Sequence, residues 1–198
     1  MELVYRSAQR KQTKQNMEIE VRARINDLKG IEKSIVGFGA NLVKEKKQID
    51  KYYGEINLYE KLGYSFLMRV RSEGDENFLT YKGAESKIDG VWEEYEFSID
   101  NELMAKAMLK SMGLDEIIEV KKNRIEYKLD DLTICLDEIE GLGSFIEIES
   151  LDDNDIDKNR LKKFMDKLDI KEDQVIHKGY VTMLLIKNNS PYSKYIVN

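Results

Sequence analysis

Ionisable residues of like sign recur two apart along this chain. The pattern is E-I-E at residues 18–20 and again at 147–149, E-Y-E at 94–96, R-A-R at 22–24 and R-V-R at 69–71. Side chains alternate faces along an extended strand, so each pair shares one face while the intervening apolar residues share the other. Over residues 18–25, Glu18, Glu20, Arg22 and Arg24 lie opposite Ile19, Val21, Ala23 and Ile25. A strand with one wet face can look like this. A surface tuned for solubility, however, intersperses its signs, and here they come in like-signed pairs. Carboxylates gathered in one place repel one another unless a cation holds them, and an oxygen-only set selects Mg²⁺ or Mn²⁺ over zinc. Arginine forks match phosphate oxygens. A metal site beside a basic lining around a polyphosphate is the apparatus of phosphoryl or nucleotidyl transfer.

The elements that would position these residues are mainly strands. Residues 48–54 (Q-I-D-K-Y-Y-G) read as a short strand entering a loop. Residues 65–72 and 78–82 form a hairpin about the E-G-D-E-N turn, and 92–99 a further strand. Asp100 is placed to cap a helix over 101–112 that Gly113 closes. Three more strands follow, over I-I-E-V-K-K-N-R-I-E-Y-K-L, D-L-T-I-C-L-D-E-I and S-F-I-E-I-E-S, joined by D-D and G-L-G. Helical spacing marks 27–40, 155–168 and 179–187. Residues 1–16 read as a flexible arm, 17–187 as the domain, and 188–198, which hold the only proline, as a loose tail. Turn-connected antiparallel strands tend to curl into a barrel, which would put the charged face inside.

Composition narrows the classes. The 198 residues are 41% hydrophobic and 35% charged, enough for one domain with a proper core. A net charge of −6 argues against a nucleic-acid polymer as partner. Cys135 is the only cysteine and His177 the only histidine, which excludes an intrachain disulfide, cysteine metal clusters and histidine metal sites. No run approaches the roughly 20 apolar residues that span a bilayer, and the start of the chain lacks a signal-peptide core, so no membrane and a cytoplasmic location are expected. A Gly-rich phosphate loop is also missing.

The segments resemble, in order over residues 17–187, the CYTH superfamily of triphosphate tunnel metalloenzymes. E-I-E-V-R resembles its E-x-E-x-K signature. The likeness continues through Q-I-D-K-Y-Y, L-M-R-V-R, F-L-T-Y-K-G, E-E-Y-E-F, K-K-N-R, L-D-E-I-E-G-L-G and F-I-E-I-E. It implies an α+β, mainly antiparallel fold: a closed eight-stranded tunnel barrel with flanking helices. It implies Mg²⁺ or Mn²⁺ held by Glu18, Glu20, Glu94, Glu96, Asp137, Glu147 and Glu149. Triphosphate would be bound by Arg22, Arg24, Arg69, Arg71, Lys82, Lys122 and Arg124. In some triphosphatase members a tyrosine–lysine pair activates water, a role that falls here to Lys82 with Tyr53 or its neighbour Tyr52. Arg22 departs from the signature lysine, keeping the charge but changing its shape. The expected activity is that of a class IV adenylyl cyclase, ATP giving cyclic AMP and pyrophosphate. The alternatives are hydrolysis of an inorganic or organic triphosphate, or a module that binds a polyphosphate or nucleotide without turnover. A homodimer is compatible with the sequence.

Overall fold

The computed structural model describes residues 19–83, 93–150 and 155–196. The proposed arm and Glu18 lie outside them.

The strongest alternation in the sequence becomes strand β1 (Ile19–Ile25), with Ala23 and Ile25 buried beneath it. Chain order continues with α1 (Leu28–Gly37), β2 (Asn41–Gly54), α2 (Ile56–Leu62), β3 (Phe66–Glu73), β4 (Glu76–Gly83), β5 (Glu93–Ile99) and α3 (Glu102–Ser111). It ends with β6 (Asp115–Leu129), β7 (Leu132–Ile139), β8 (Gly143–Ser150), α4 (Asp155–Lys167), β9 (Val175–Ile176) and α5 (Tyr180–Lys187). The strands form one antiparallel sheet in the order β5-β4-β3-β2-β6-β7-β8-β1-β9.

This corrects the expected closed barrel of eight strands. Among the described residues there are nine strands, and β5 and β9 are the edges. Closure requires two neighbours for every strand, but among the described residues β5 pairs only with β4, and the two-residue β9 only with β1. The sheet nevertheless curls. Glu20 on β1 and Glu94 and Glu96 on β5, near opposite ends of the strand order, line the same cavity.

Two apolar cores hold the curl. Beneath β1, β7 and β8, Ala23, Ile134, Leu136, Ile146 and Ile148 pack against Ile35 of α1 and Leu161, Phe164 and Met165 of α4. The other core unites Val70 and Leu79 with Ala105 and Leu109 of α3, and Leu67, Val120, Ile139 and Phe145 with Tyr180, Leu184 and Leu185 of α5. Leu67, Val120 and Phe145 each stand two residues from Arg69, Lys122 and Glu147. The inward face therefore has an apolar end under α5 and a charged end beyond it.

The described part of the C-terminal tail, residues 188–196, is ordered against the domain. Residues Pro191–Lys194 form a 3₁₀ turn, Ile196 is 1% exposed, and its carbonyl accepts from Thr182 Oγ1 at 3.1 Å. The cap of α3 is Asn101 rather than Asp100, its Oδ1 accepting from the Met104 N–H at 2.9 Å. β2 begins at Asn41, well before the predicted strand. Helix α2 and strand β9 were absent from the sequence reading. No helix among the described residues is long and apolar enough to cross a membrane.

Candidate active site

The charged end of the inward face encloses a cavity of about 430 Å³. On one wall, β2 presents Asp50 and Tyr52, β3 presents Arg69 and Arg71, β4 presents Lys82, and β5 presents Glu94 and Glu96. On the other wall, β6 presents Lys122 and Arg124, β8 presents Glu147 and Glu149, and β1 presents Glu20 and Arg22. Tyr180, at the start of α5, closes one side.

Acids and bases alternate across strands instead of segregating. Arg71 forks onto Asp50, Nε and Nη2 donating at 2.6 and 2.7 Å. Arg69 donates to Thr80 at 3.0–3.2 Å, to Glu96 at 2.5 Å and to Glu94 at 3.3 Å. Lys82 donates to Glu94 at 2.7 Å. Arg124 forks onto Asp137 at 2.6–2.7 Å and also donates to Glu147. Arg22 donates to Glu147 at 2.5 Å and to Glu20 at 3.0 Å, its guanidinium 4.5 Å from the centre of the Tyr180 ring.

The ionisation of these groups follows from their partners. Burial alone would raise Asp50, but hydrogen bonds and charge from Arg71, with Lys122 and Arg69 behind, bring it down to about 2. Burial likewise opposes Glu147, yet Arg124, Arg22 and Lys122 hold it at about 2. Lys122, only 8% exposed, makes no hydrogen bond or ion pair among the described residues. Burial, and then the neighbouring Arg124, lower it to about 8. Tyr52 is pushed up to about 12 by burial and then by Asp50, so it is a neutral hydroxyl at ordinary pH.

The carboxylates divide sharply. Oxygens of Glu20, Glu147 and Glu149 lie within 4.8 Å of one another, close enough to share one cation. Strand pairing explains it: Glu20 is opposite Glu149, and Arg22 opposite Glu147. Asp137, a predicted ligand, is fully buried and taken by the fork of Arg124 and by the Tyr180 hydroxyl at 3.0 Å. Glu94 and Glu96, also predicted ligands, line the cavity apart from that triad and pair with Arg69 and Lys82.

Two further predicted residues do not reach the cavity. Arg24 lies over Phe145, 4.8 Å from its ring centre, and donates to the Leu142 carbonyl at 2.5 Å. Tyr53 faces away, its hydroxyl donating to Glu116 at 3.3 Å; it follows a register shift between Tyr52 and Tyr53 against β6. Tyr52 takes the inward position. The sequence reading missed Asp50 and Tyr180 as site residues. Asp50 was legible in principle, since it shares strand parity with Tyr52; Tyr180 sits on a helix whose pattern is apolar.

A curled antiparallel sheet with a carboxylate triad facing arginines and a buried lysine is an arrangement that could hold a cation beside an anionic ligand. The family model for the CYTH domain matches residues 16–180, and the chain belongs to that family. Its members are typically enzymes acting on triphosphates, and its tunnel enzymes use divalent metals. A Methanocaldococcus jannaschii protein named as a candidate adenylate cyclase is 30% identical over 172 residues, which cover 84% of this chain and 98% of that one. A solved structure from Pyrococcus horikoshii, 30% identical, superposes with a TM-score of 0.72 over 83% of this chain and 98% of its own. A Hippeastrum structure at 16% identity shares the fold, with a TM-score of 0.63 over 87% of this chain and 95% of its own.

Proposed function

We propose that this protein is a divalent-metal-dependent enzyme acting on a triphosphate, and that its reaction is the class IV adenylyl cyclase reaction. The observation that carries the first part is the placement of Glu20, Glu147 and Glu149 across one cavity from Arg69, Arg71, Lys122 and Arg124. The donor set is all oxygen and suits Mg²⁺ or Mn²⁺. Such an ion, held by these three carboxylates, would neutralise phosphate charge and polarise the bond to the attacked phosphorus.

The remaining work belongs to the side chains. Arg69, Arg71, Arg124 and Lys122 bind the phosphate oxygens, Arg22 steadies Glu147, and Lys82 sits at the more exposed rim. The phosphates enter by displacing carboxylates from the arginines, so binding exchanges ion pairs within the protein for ion pairs to the ligand. In the cyclase reaction the ribose 3′-hydroxyl attacks the α-phosphorus and pyrophosphate leaves.

The cyclase assignment draws on the Methanocaldococcus relative. Hydrolysis is the second reading. It is favoured by the Hippeastrum neighbour, which is described as a candidate adenylyl cyclase with a dominant triphosphatase activity. Incubation with Mg²⁺ or Mn²⁺ and ATP, and separately with inorganic triphosphate, separates the two. Cyclic AMP with pyrophosphate supports the cyclase. Orthophosphate supports hydrolysis. Absence of product from both substrates overturns the enzymatic proposal.

A further inference from the structure

One group on the inward face is used by none of the ion pairs described above. Gln48 is 2% exposed, and its Oε1 is the buried side-chain polar atom without a hydrogen-bond partner among the described residues. Its orientation is fixed. The amide nitrogen donates to Glu73 Oε2 at 2.5 Å, and a carboxylate that Lys46 and Lys44 hold in its ionised form only accepts, so the flipped amide would face oxygen with oxygen. A buried acceptor left without a donor costs free energy and marks a place where something else supplies one. Gln48 shares strand parity with Asp50 and Tyr52, which line the cavity; it stands one step behind that lining and pairs directly across to Lys122, which belongs to it. Lys122 is the complementary case, a buried cation in the cavity wall with no hydrogen bond or ion pair among the described residues.

We propose that Gln48 and Lys122 form a two-point seat for an O–H group, Gln48 Oε1 accepting its hydrogen and the Lys122 ammonium donating to its oxygen. Resting on the triphosphate reading, this goes further in saying what that site takes besides phosphate. An ionised triphosphate offers acceptors only and satisfies Lys122 but not Gln48. The group that satisfies both carries a hydroxyl: either an alcohol on the organic part of the ligand or the attacking water.

The test is Gln48→Met, which keeps the length of the side chain and removes the acceptor, with Glu73 still held by Lys46. Melting of the ligand-free protein is measured beside kinetics with ATP, 3′-deoxy-ATP and inorganic triphosphate. The seat predicts an unchanged or higher melting temperature, because a buried orphan is removed, together with about a tenfold loss in kcat/KM, the equivalent of one lost hydrogen bond. A loss with ATP that is absent with inorganic triphosphate and 3′-deoxy-ATP assigns the seat to the ligand's 3′-hydroxyl. An equal fall in kcat for ATP and inorganic triphosphate at constant KM assigns it to the attacking water. A lower melting temperature with intact kinetics makes Gln48 structural and overturns the proposal, as do unchanged kinetics with every substrate. If the wild-type protein turns over neither ATP nor inorganic triphosphate, the triphosphate reading fails separately. The seat then stands with a held or raised melting temperature and falls with a lowered one.

Discussion

Among the described residues the chain lines its cavity with a Glu-x-Glu pair twice, and the two copies differ in surroundings. On β5, Glu94 and Glu96 flank Tyr95 and face Arg69 and Lys82; on β8, Glu147 and Glu149 flank Ile148 and face Arg124 and Arg22. β5 is an edge strand, and its two acids keep 41% and 38% of their side chains exposed. β8 lies between β7 and β1, and Glu147 is only 4% exposed. The neighbour makes the difference. β1 brings Glu20 against the β8 pair and completes a triad, whereas no strand among the described residues pairs beyond β5. On the proposed reading, one Glu-x-Glu therefore contributes to a cation site, and the other is a counter-charge to Arg69 and Lys82. An identical sequence pattern takes its role from the strand beside it.

The largest effect is expected where burial is deepest. Arg124→Met strands Asp137 and Glu147 without their fork, and removing one partner of a buried pair costs about 3–5 kcal/mol. Melting should fall by many degrees, and refolded protein should show no turnover. Glu147→Gln should likewise abolish turnover and lower melting by a smaller amount. That result would correct the simple expectation that crowded acids are relieved by losing one, because arginines already hold Glu147 ionised.

An intermediate effect is expected on the β5 side. Arg69→Ala leaves Glu94 and Glu96 partly solvated, so stability should change less than in Arg124→Met. Affinity for ATP should fall about 10–100-fold, the equivalent of one charge-assisted fork at roughly 1.5–3 kcal/mol. AMP affinity should change little. Equal melting losses for Arg69→Ala and Arg124→Met would erase the distinction between the walls.

The smallest effect is in the acid limb of stability. Asp50 falls from an ordinary 3.8 to about 2 in the fold. Its contribution, on the order of 2 kcal/mol, is fully present above pH 3.8 and is lost as pH falls toward 2. Denaturant titrations of wild type and Asp50→Asn should converge over that window. Parallel curves would show that the Arg71 fork does not hold Asp50 in its ionised form.

Strand parity made much of this site legible. Glu20, Arg22, Arg69, Arg71, Lys122, Arg124, Glu147 and Glu149 all face the cavity as alternation requires. Where parity was hidden, the reading failed. The first half of β2 reads N-L-V-K-E-K-K, charged on both faces, so neither its start nor Asp50 stood out. Tyr53 was favoured over Tyr52 although Asp50, two residues earlier, fixes Tyr52 inward. Which acids come close enough to share a cation was invisible for a different reason. It depends on β1 lying beside β8, a pairing across 125 residues between Arg22 and Glu147 that no local pattern encodes. Closure was over-read because alternation reports one wet and one dry face but not whether the two edge strands meet.

Direct titration of Mn²⁺, followed by electron paramagnetic resonance of the free ion, measures the contrast between the two Glu-x-Glu pairs most plainly. Wild type, Glu149→Gln and Glu96→Gln should be compared at one pH without nucleotide. The account predicts that Glu149→Gln loses the tight Mn²⁺ site while Glu96→Gln keeps wild-type affinity. Loss in Glu96→Gln with retention in Glu149→Gln would put the ion on the β5 pair and contradict it.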